Sequence, residues 1–220
     1  MRTKIKLIIS SAVAGFFILT AVSSSILKAT IATYDIGLKA VECPADAKKQ
    51  YGETKIVSKI EDGITKYCYE DDFIEIIWHV DTKQFNFVLT NKTNHTLKIN
   101  WDDICYVDIF RTTHRVMHSG VKYIDRNNSQ PSSTLPRGAK LVDCLVPTDY
   151  VSTNDSGLDW KFETLLPYIY KDKETALESA SIIVGKPMTI LFPIMIENVQ
   201  NDYVFIFNVN DLQIQNQKKK

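Results

Sequence analysis

The chain has no C-x-x-C pair, no G-x-S-x-G and neither of the glycine-rich phosphate loops, G-x-x-x-x-G-K-[ST] or G-x-G-x-x-G. The first absence removes zinc ribbons and thioredoxin-type redox pairs. The others remove the nucleophile elbow and the common phosphate cradles. Excess charge is also missing, since 26 Lys+Arg face 26 Asp+Glu. Arg2, Lys4 and Lys6 all sit in the first six residues, so the rest of the chain is mildly acidic. A nucleic-acid partner is not expected without a basic field. No cofactor is expected either.

What is present begins with the leader. "MRTKIK" is positive, "LIISSAVAGFFILTAV" (7–22) is uncharged and mostly apolar, and "SSS" follows. Ala21 and Ser23 stand where a signal peptidase reads small residues. Residues 1–23 therefore read as a signal peptide or membrane anchor. The uncharged stretch 7–27 is also long enough to span a bilayer, which needs about 20 residues. Either way the body is expected outside the cytoplasm, in the periplasm, cell envelope or medium. Membrane contact is expected only through the N-terminal segment, if it stays uncleaved.

Cys43, Cys68, Cys105 and Cys144 are the four cysteines. An exported chain with an even number permits two disulfides in three connectivities. Cys43–Cys68 closes the shortest loop and leaves Cys105–Cys144, while buried free thiols are the competing reading.

The body has 45% hydrophobic and 24% charged residues, ordinary globular values. Short runs alternate with period two. "FIEIIWHV" (73–80) is nearly continuous, as in a strand buried on both faces. "QFNFVLT" (84–90) and "TLKINW" (96–101) flank an Asn-rich turn and read as a hairpin. "KIVSKIEDGITKYCYEDD" reads as two strands around Glu61–Gly63. "ICYVDIF" (104–110), "HRVMHS" (114–119), "VKYID" (121–125) and "AKLVDCLVP" (139–147) are further strands. "KPMTILFPIMIEN" (186–198) and "DYVFIFNVN" (202–210) form the clearest hairpin, with Pro193 leaving one edge unpaired or bulged. Asp172 caps the one helix expected, 173–184, with Gly185 after it and Leu177, Ile183 and Val184 on its apolar face. Residues 24–50 lack a period and read as a linker or N-terminal flap, and 213–220 as a disordered tail. The remaining 51–212 then form a mainly β, antiparallel, immunoglobulin-like β-sandwich with one short helix near 173–184.

His114 and His118 mimic the spacing of a helical zinc motif. That motif needs a helix, where residues four apart are about 6 Å apart. Thr112, Thr113 and Val116 favour a strand, where the separation is about 13 Å. Arg115 occupies the position of the catalytic glutamate, so no metal ligand is assigned. "YEDD" (69–72) and "WDD" (101–103) read as turn carboxylates, with calcium and glycoside hydrolysis as alternatives. Glycosylation sequons fall at Asn91, Asn94, Asn127 and Asn154. Tyr123, Tyr150, Trp160, Tyr168 and Tyr170 lie in or beside irregular stretches, where aromatics either close the ends of a sandwich or form a contact surface. The long loop around 119–138 is the best candidate for such a surface, through Lys122, Tyr123, Asp125 and Arg126. No catalytic residue is assigned.

"FNFVLTNKTNHTLKINWDD", "HRVMHSGVKYIDRNNSQPSS" and "LPRGAKLVDCLVPTDYV" together resemble uncharacterised exported β-rich proteins of Bacteroides-type bacteria, over roughly residues 40–210. The resemblance implies an exported or envelope-associated protein and brings no catalytic residues with it. The function expected is a non-catalytic binding module for a protein or glycan partner. A structural subunit of a surface assembly and a hydrolase whose site forms only in three dimensions are the alternatives.

Overall fold

A computed structural model describes residues 29–43, 52–154 and 159–216. The leader 1–23 lies outside these, as do 217–220. The fold is mainly β and antiparallel, with one α-helix among the described residues, as the alternation predicts.

One half of the sheet is built from β1 (Thr30–Glu42), β15 (Val199–Asn216), β14 (Pro187–Ile196) and β7 (Cys105–Val107), hydrogen-bonded in that order. The other half runs β10 (Lys140–Pro147), β5 (Phe85–Asn91), β4 (Ile74–Val80), β3 (Ile64–Glu70) and β2 (Lys55–Glu61). β8 (Thr113–Met117) joins them, pairing with β7 on one side and β10 on the other. Two short strands, β6 (Leu97–Ile99) and β9 (Ser133–Leu135), extend the first half beyond β14. β13 (Ile169–Tyr170) borders β1. β11 (Val151–Thr153) and β12 (Trp160–Phe162) form a separate small ribbon.

The two halves belong to one curled sheet, and their dry sides face each other as in a sandwich. Trp78 of β4 lies 5.1 Å from Phe205 and 5.7 Å from Phe207 of β15, ring centre to ring centre. Phe87 of β5 meets Phe192 of β14 at 5.4 Å, edge to face. All of these rings are fully or almost fully buried. Each such side chain contributes about 1.5–3 kcal/mol by leaving water.

Helix α1 (Lys173–Ile183) starts where the Asp172 carboxylate accepts from the Thr175 N–H. It ends before Gly185, whose φ of 86° only glycine adopts readily. Ala176 and Ile183 are its buried residues, whereas Leu177 points to solvent.

Several expectations are corrected. The stretch read as a linker or flap supplies the thirteen-residue β1, paired with β15 from Thr30 to Glu42. Its two register shifts, after Asp35 and after Leu38, break the period that would have revealed it. β4 is buried on one face only, since Ile74, Ile76 and Trp78 are covered while Glu75 and Ile77 stay half-exposed. Residues 121–125 are no strand, because Tyr123–Asp125 form a 3-10 turn. Residues 213–216 of the supposed tail belong to β15.

β5 and β6 do not pair with each other. β5 lies between β4 and β10, whereas β6 pairs with β14 and β9 in the other half. The buried Asn91 side chain makes the corner. Its amide donates to the carbonyls of His95 at 2.7 Å and Leu135 at 3.0 Å, and its oxygen accepts from the N–H and hydroxyl of Thr93. Pro193 falls in the gap between the β14–β7 and β14–β6 pairings, so its missing donor leaves no hydrogen bond unmade on that edge.

Candidate functional site

The loop after β8 is held from below. Asp102 accepts from Arg115 at 2.5 Å, from the Ser129 hydroxyl at 2.5 Å and from the Gln130 N–H. Arg115 also donates to the Asn128 carbonyl. The buried Gln130 amide donates to the Val116 carbonyl at 2.8 Å and accepts from the His118 N–H. These bonds carry the Tyr123–Asp125 turn to the surface on a fixed base.

There Tyr123 meets the β11–β12 ribbon. Its ring lies 4.9 Å from Phe162, edge to face, and 5.6 Å from Trp160. The Arg126 guanidinium sits 5.3 Å over Trp160 and donates to the Tyr123 carbonyl. Lys83 approaches Phe162 from the other end at 5.8 Å. Tyr123 stays 38% exposed and its neighbour Ile124 75%. Cation–π contacts of this kind hold each long side chain in one place. Of the four residues expected at a surface, Tyr123 and Arg126 therefore join the patch. Lys122 and Asp125 shape the turn, through the Lys122 carbonyl and the Asp125 carboxylate, which accepts from Asn128. Phe162 and Lys83 carry no signal in the sequence, because the patch draws on three separate stretches of chain.

Tyr150 and Tyr170 face inward. Tyr170 shares a 2.6 Å hydroxyl hydrogen bond with Tyr34, and Tyr150 packs edge-on against His114 at 5.1 Å.

The two histidines serve separate partners. His114 is buried and stacked 5.5 Å from Tyr106, its cross-strand neighbour. Its Nδ1 lies 2.7 Å from Asp149 Oδ2, and its Nε2 lies 3.4 Å from Asp108 Oδ2 without hydrogen-bond alignment. The other Asp108 oxygen accepts from the N–H groups of Phe110 and Thr112, which fixes it. A cleft of about 320 Å³ opens at Asp108, Tyr150 and Glu163. Burial, reinforced by the charges of Asp108, Asp149 and Glu163, pushes the Tyr150 phenol up to about 12. His118 stacks flat on Trp101 at 4.1 Å and pairs with Asp143 at 3.1 Å. No hydroxyl or thiol hydrogen-bonds to either imidazole among the described residues. Neither is there among them a group of three His, Cys, Asp or Glu side chains suited to a metal ion.

The paired disulfides are not formed, and all four cysteines are free. Cys43 touches the inward-facing Tyr69 hydroxyl, whereas Cys68, next to Tyr69 on β3, turns to the opposite face beside Glu75. Cys105 and Cys144 lie on β7 and β10 with β8 between them. Burial, with Asp143 adding, raises the Cys144 thiol to about 11, so it is held as an unreactive thiol.

In the carboxylate clusters Asp72 and Asp103 are exposed, as turn residues are, but Asp71 and Asp102 are held inside hydrogen-bond networks. Asp71 is buried and accepts from the Phe73 and Ile74 N–H groups at 2.8 and 2.7 Å, while Asp102 anchors the loop. Of the sequon residues, Asn91 is buried and its amide already used, so a glycan has no room there in the folded protein.

No protein-family model, curated protein or solved structure matches this chain.

Proposed function

We propose that this chain is a non-catalytic binding module, exported or envelope-associated, whose contact surface is the Tyr123–Arg126–Trp160–Phe162 patch. One observation carries the reading. A half-exposed tyrosine is wedged between two aromatic rings, with cations over both ends, on a loop tied down by Asp102 and Gln130. Trp, Tyr and Arg dominate the energetics of interfaces because they present large, rigid, amphipathic surfaces. A pre-ordered patch loses little freedom when a partner arrives. The leader pattern supports a location outside the cytoplasm, and the partner chemistry fits a protein or a glycan.

The test sets the full chain against its Tyr123→Ala/Trp160→Ala variant. One arm uses immobilised polysaccharides, and the other a photo-reactive phenylalanine at Ile124 in living cells. Retention on one polysaccharide class, or one discrete cross-linked protein, is expected for the parent and is lost in the variant. Near-UV circular dichroism confirms that the variant is folded. Equal behaviour of the two chains, or no capture in either arm, sinks the reading.

A second, hydrolytic reading has one observation in its favour, the His114 imidazole between Asp149 and Asp108 beside the cleft. It predicts turnover that His114→Gln abolishes while patch binding survives.

A further inference from the structure

β2 ends its half of the sheet. β3 covers one of its edges, and among the described residues no strand pairs with the other. The seven residues of this open edge, Lys55–Glu61, are exposed out of proportion to their composition. Ile60 is 76% exposed and Ile56 40%. A bare apolar edge invites another strand.

The backbone determines which residues such a strand would meet. β2 turns into β3 through Asp62 and Gly63, with φ of 52° and 76°, the geometry of a two-residue hairpin loop. In such a loop the flanking residues, here Glu61 and Ile64, exchange hydrogen bonds. Alternation along the strand then aims the N–H and C=O groups of Lys55, Val57, Lys59 and Glu61 at β3. Those of Ile56, Ser58 and Ile60 point to the open edge.

We propose that β2 is a homodimerisation edge, two copies of this chain joining antiparallel about a twofold axis at Ser58. In this register Ile56 lies opposite the partner's Ile60, and Ser58 opposite the partner's Ser58. These are the residues whose backbone groups face outward, so the hydrogen bonds align. Lys55 lies opposite the partner's Glu61 on the other face, where each Glu61 already holds Lys66 at 2.6 Å. The two ion pairs and two isoleucine pairs repeat by symmetry, as a twofold interface requires.

Neighbouring registers fail on charge. A shift of two residues one way sets Lys59 against the partner's Lys59. The same shift the other way sets Lys55 against the partner's Lys59. Like charges directly opposite destabilise a strand pair. A shift of one residue turns the outward groups of one strand toward residues already bonded to β3 and reverses the faces. The lysines thus disfavour the adjacent in-phase registers, and the register centred on Ser58 keeps all seven residues paired.

The experiment introduces single cysteines into the full chain and oxidises mildly, with the unaltered chain as control for its own four thiols. Ser58→Cys is expected to form a covalent dimer, because facing hydrogen-bonded residues have Cα atoms about 5.5 Å apart, within disulfide reach. Val57→Cys and Lys59→Cys face one another's positions, not their own, and should cross-link at least about tenfold more slowly. Ser58→Pro deletes only an outward N–H and should convert the dimer to monomer in sedimentation with an unchanged circular dichroism spectrum. Three results overturn the proposal. These are a monomer at every concentration with no cross-linking of the Ser58→Cys chain, cross-linking at 57 or 59 in preference to 58, or capture of a different protein by the Ser58→Cys chain.

Discussion

Two hairpins of this chain close on two-residue turns that carry positive φ, Asp62–Gly63 between β2 and β3 and Glu197–Asn198 between β14 and β15. In both, successive side chains point to opposite faces of the sheet. In β14 and β15 the core-facing Ile190, Phe192, Phe205 and Phe207 are fully buried. In β2 Ile56 and Ile60 stand in water. Both turns are two residues long, though positive φ falls at both Asp62 and Gly63 in one and at Glu197 alone in the other, and the larger difference is position. β14 has strands along both edges and β4 and β5 across from it, whereas β2 has one neighbour among the described residues and leaves Ile60 uncovered. Alternation states which side of a strand prefers to be dry. It does not state whether anything arrives to cover that side.

The contrast can be broken most severely at Phe205, which packs against Trp78 at 5.1 Å and Tyr69 at 5.7 Å. Phe205→Ala should cost about 3–5 kcal/mol in urea or guanidinium unfolding. Next comes the corner that lets the two halves face each other. Asn91→Ala deletes four hydrogen bonds and strands the buried carbonyl of Leu135, for an expected loss of about 2–3 kcal/mol.

A smaller effect is expected where the halves meet at Asp71. Burial raises this carboxyl above its ordinary value, and the N–H groups of Ile74 and Phe73, with the hydroxyls of Tyr203 and Tyr69, only partly offset the rise. The folded protein therefore keeps the proton to higher pH than the unfolded chain does. Between the ordinary value of 3.8 and the raised one, stability falls as pH rises. Asp71→Asn keeps the acceptor for both N–H groups and should flatten that slope, read from denaturation midpoints across the acid range. At the bottom of the scale, Ile60→Asn should change stability by no more than about 0.5 kcal/mol. This holds for the monomer, at concentrations below dimer formation. A large loss there would mean that another part of the same chain covers Ile60.

The parts of the fold legible in the sequence are those fixed by local rules. The closing hairpin, the Asp62–Gly63 hairpin and the Asp172-capped helix each announce themselves within a few residues. β1 was hidden because two register shifts destroy its period. The β5–β6 corner was hidden because Asn91 reads as a turn residue whether the chain reverses or crosses over, and only its bond to Leu135, far along the chain, distinguishes the two. The site was half legible. Tyr123 and Arg126 stood out in a long loop, but Phe162 and Lys83 come from other segments. His114 gave no hint of Asp149, which reaches it from beyond β10. The cysteines misled because an even count says nothing about which face of a strand each thiol occupies.

The pairing of β1 with β15 has a consequence for biosynthesis. Thr30 registers with Asn216 and Tyr34 with Leu212, so nearly all the described residues lie between these partners. Apart from the contact of Thr30 and Ile31 with β13, β1 has no strand to dock on among the described residues until β15 has left the ribosome. Pairing along most of β1 thus waits for β15 to be made, and contacts so distant along the chain form slowly. Termination after Asn208 would remove the β15 residues that face Thr30–Ile36 and leave that stretch only its β13 contact at Thr30 and Ile31.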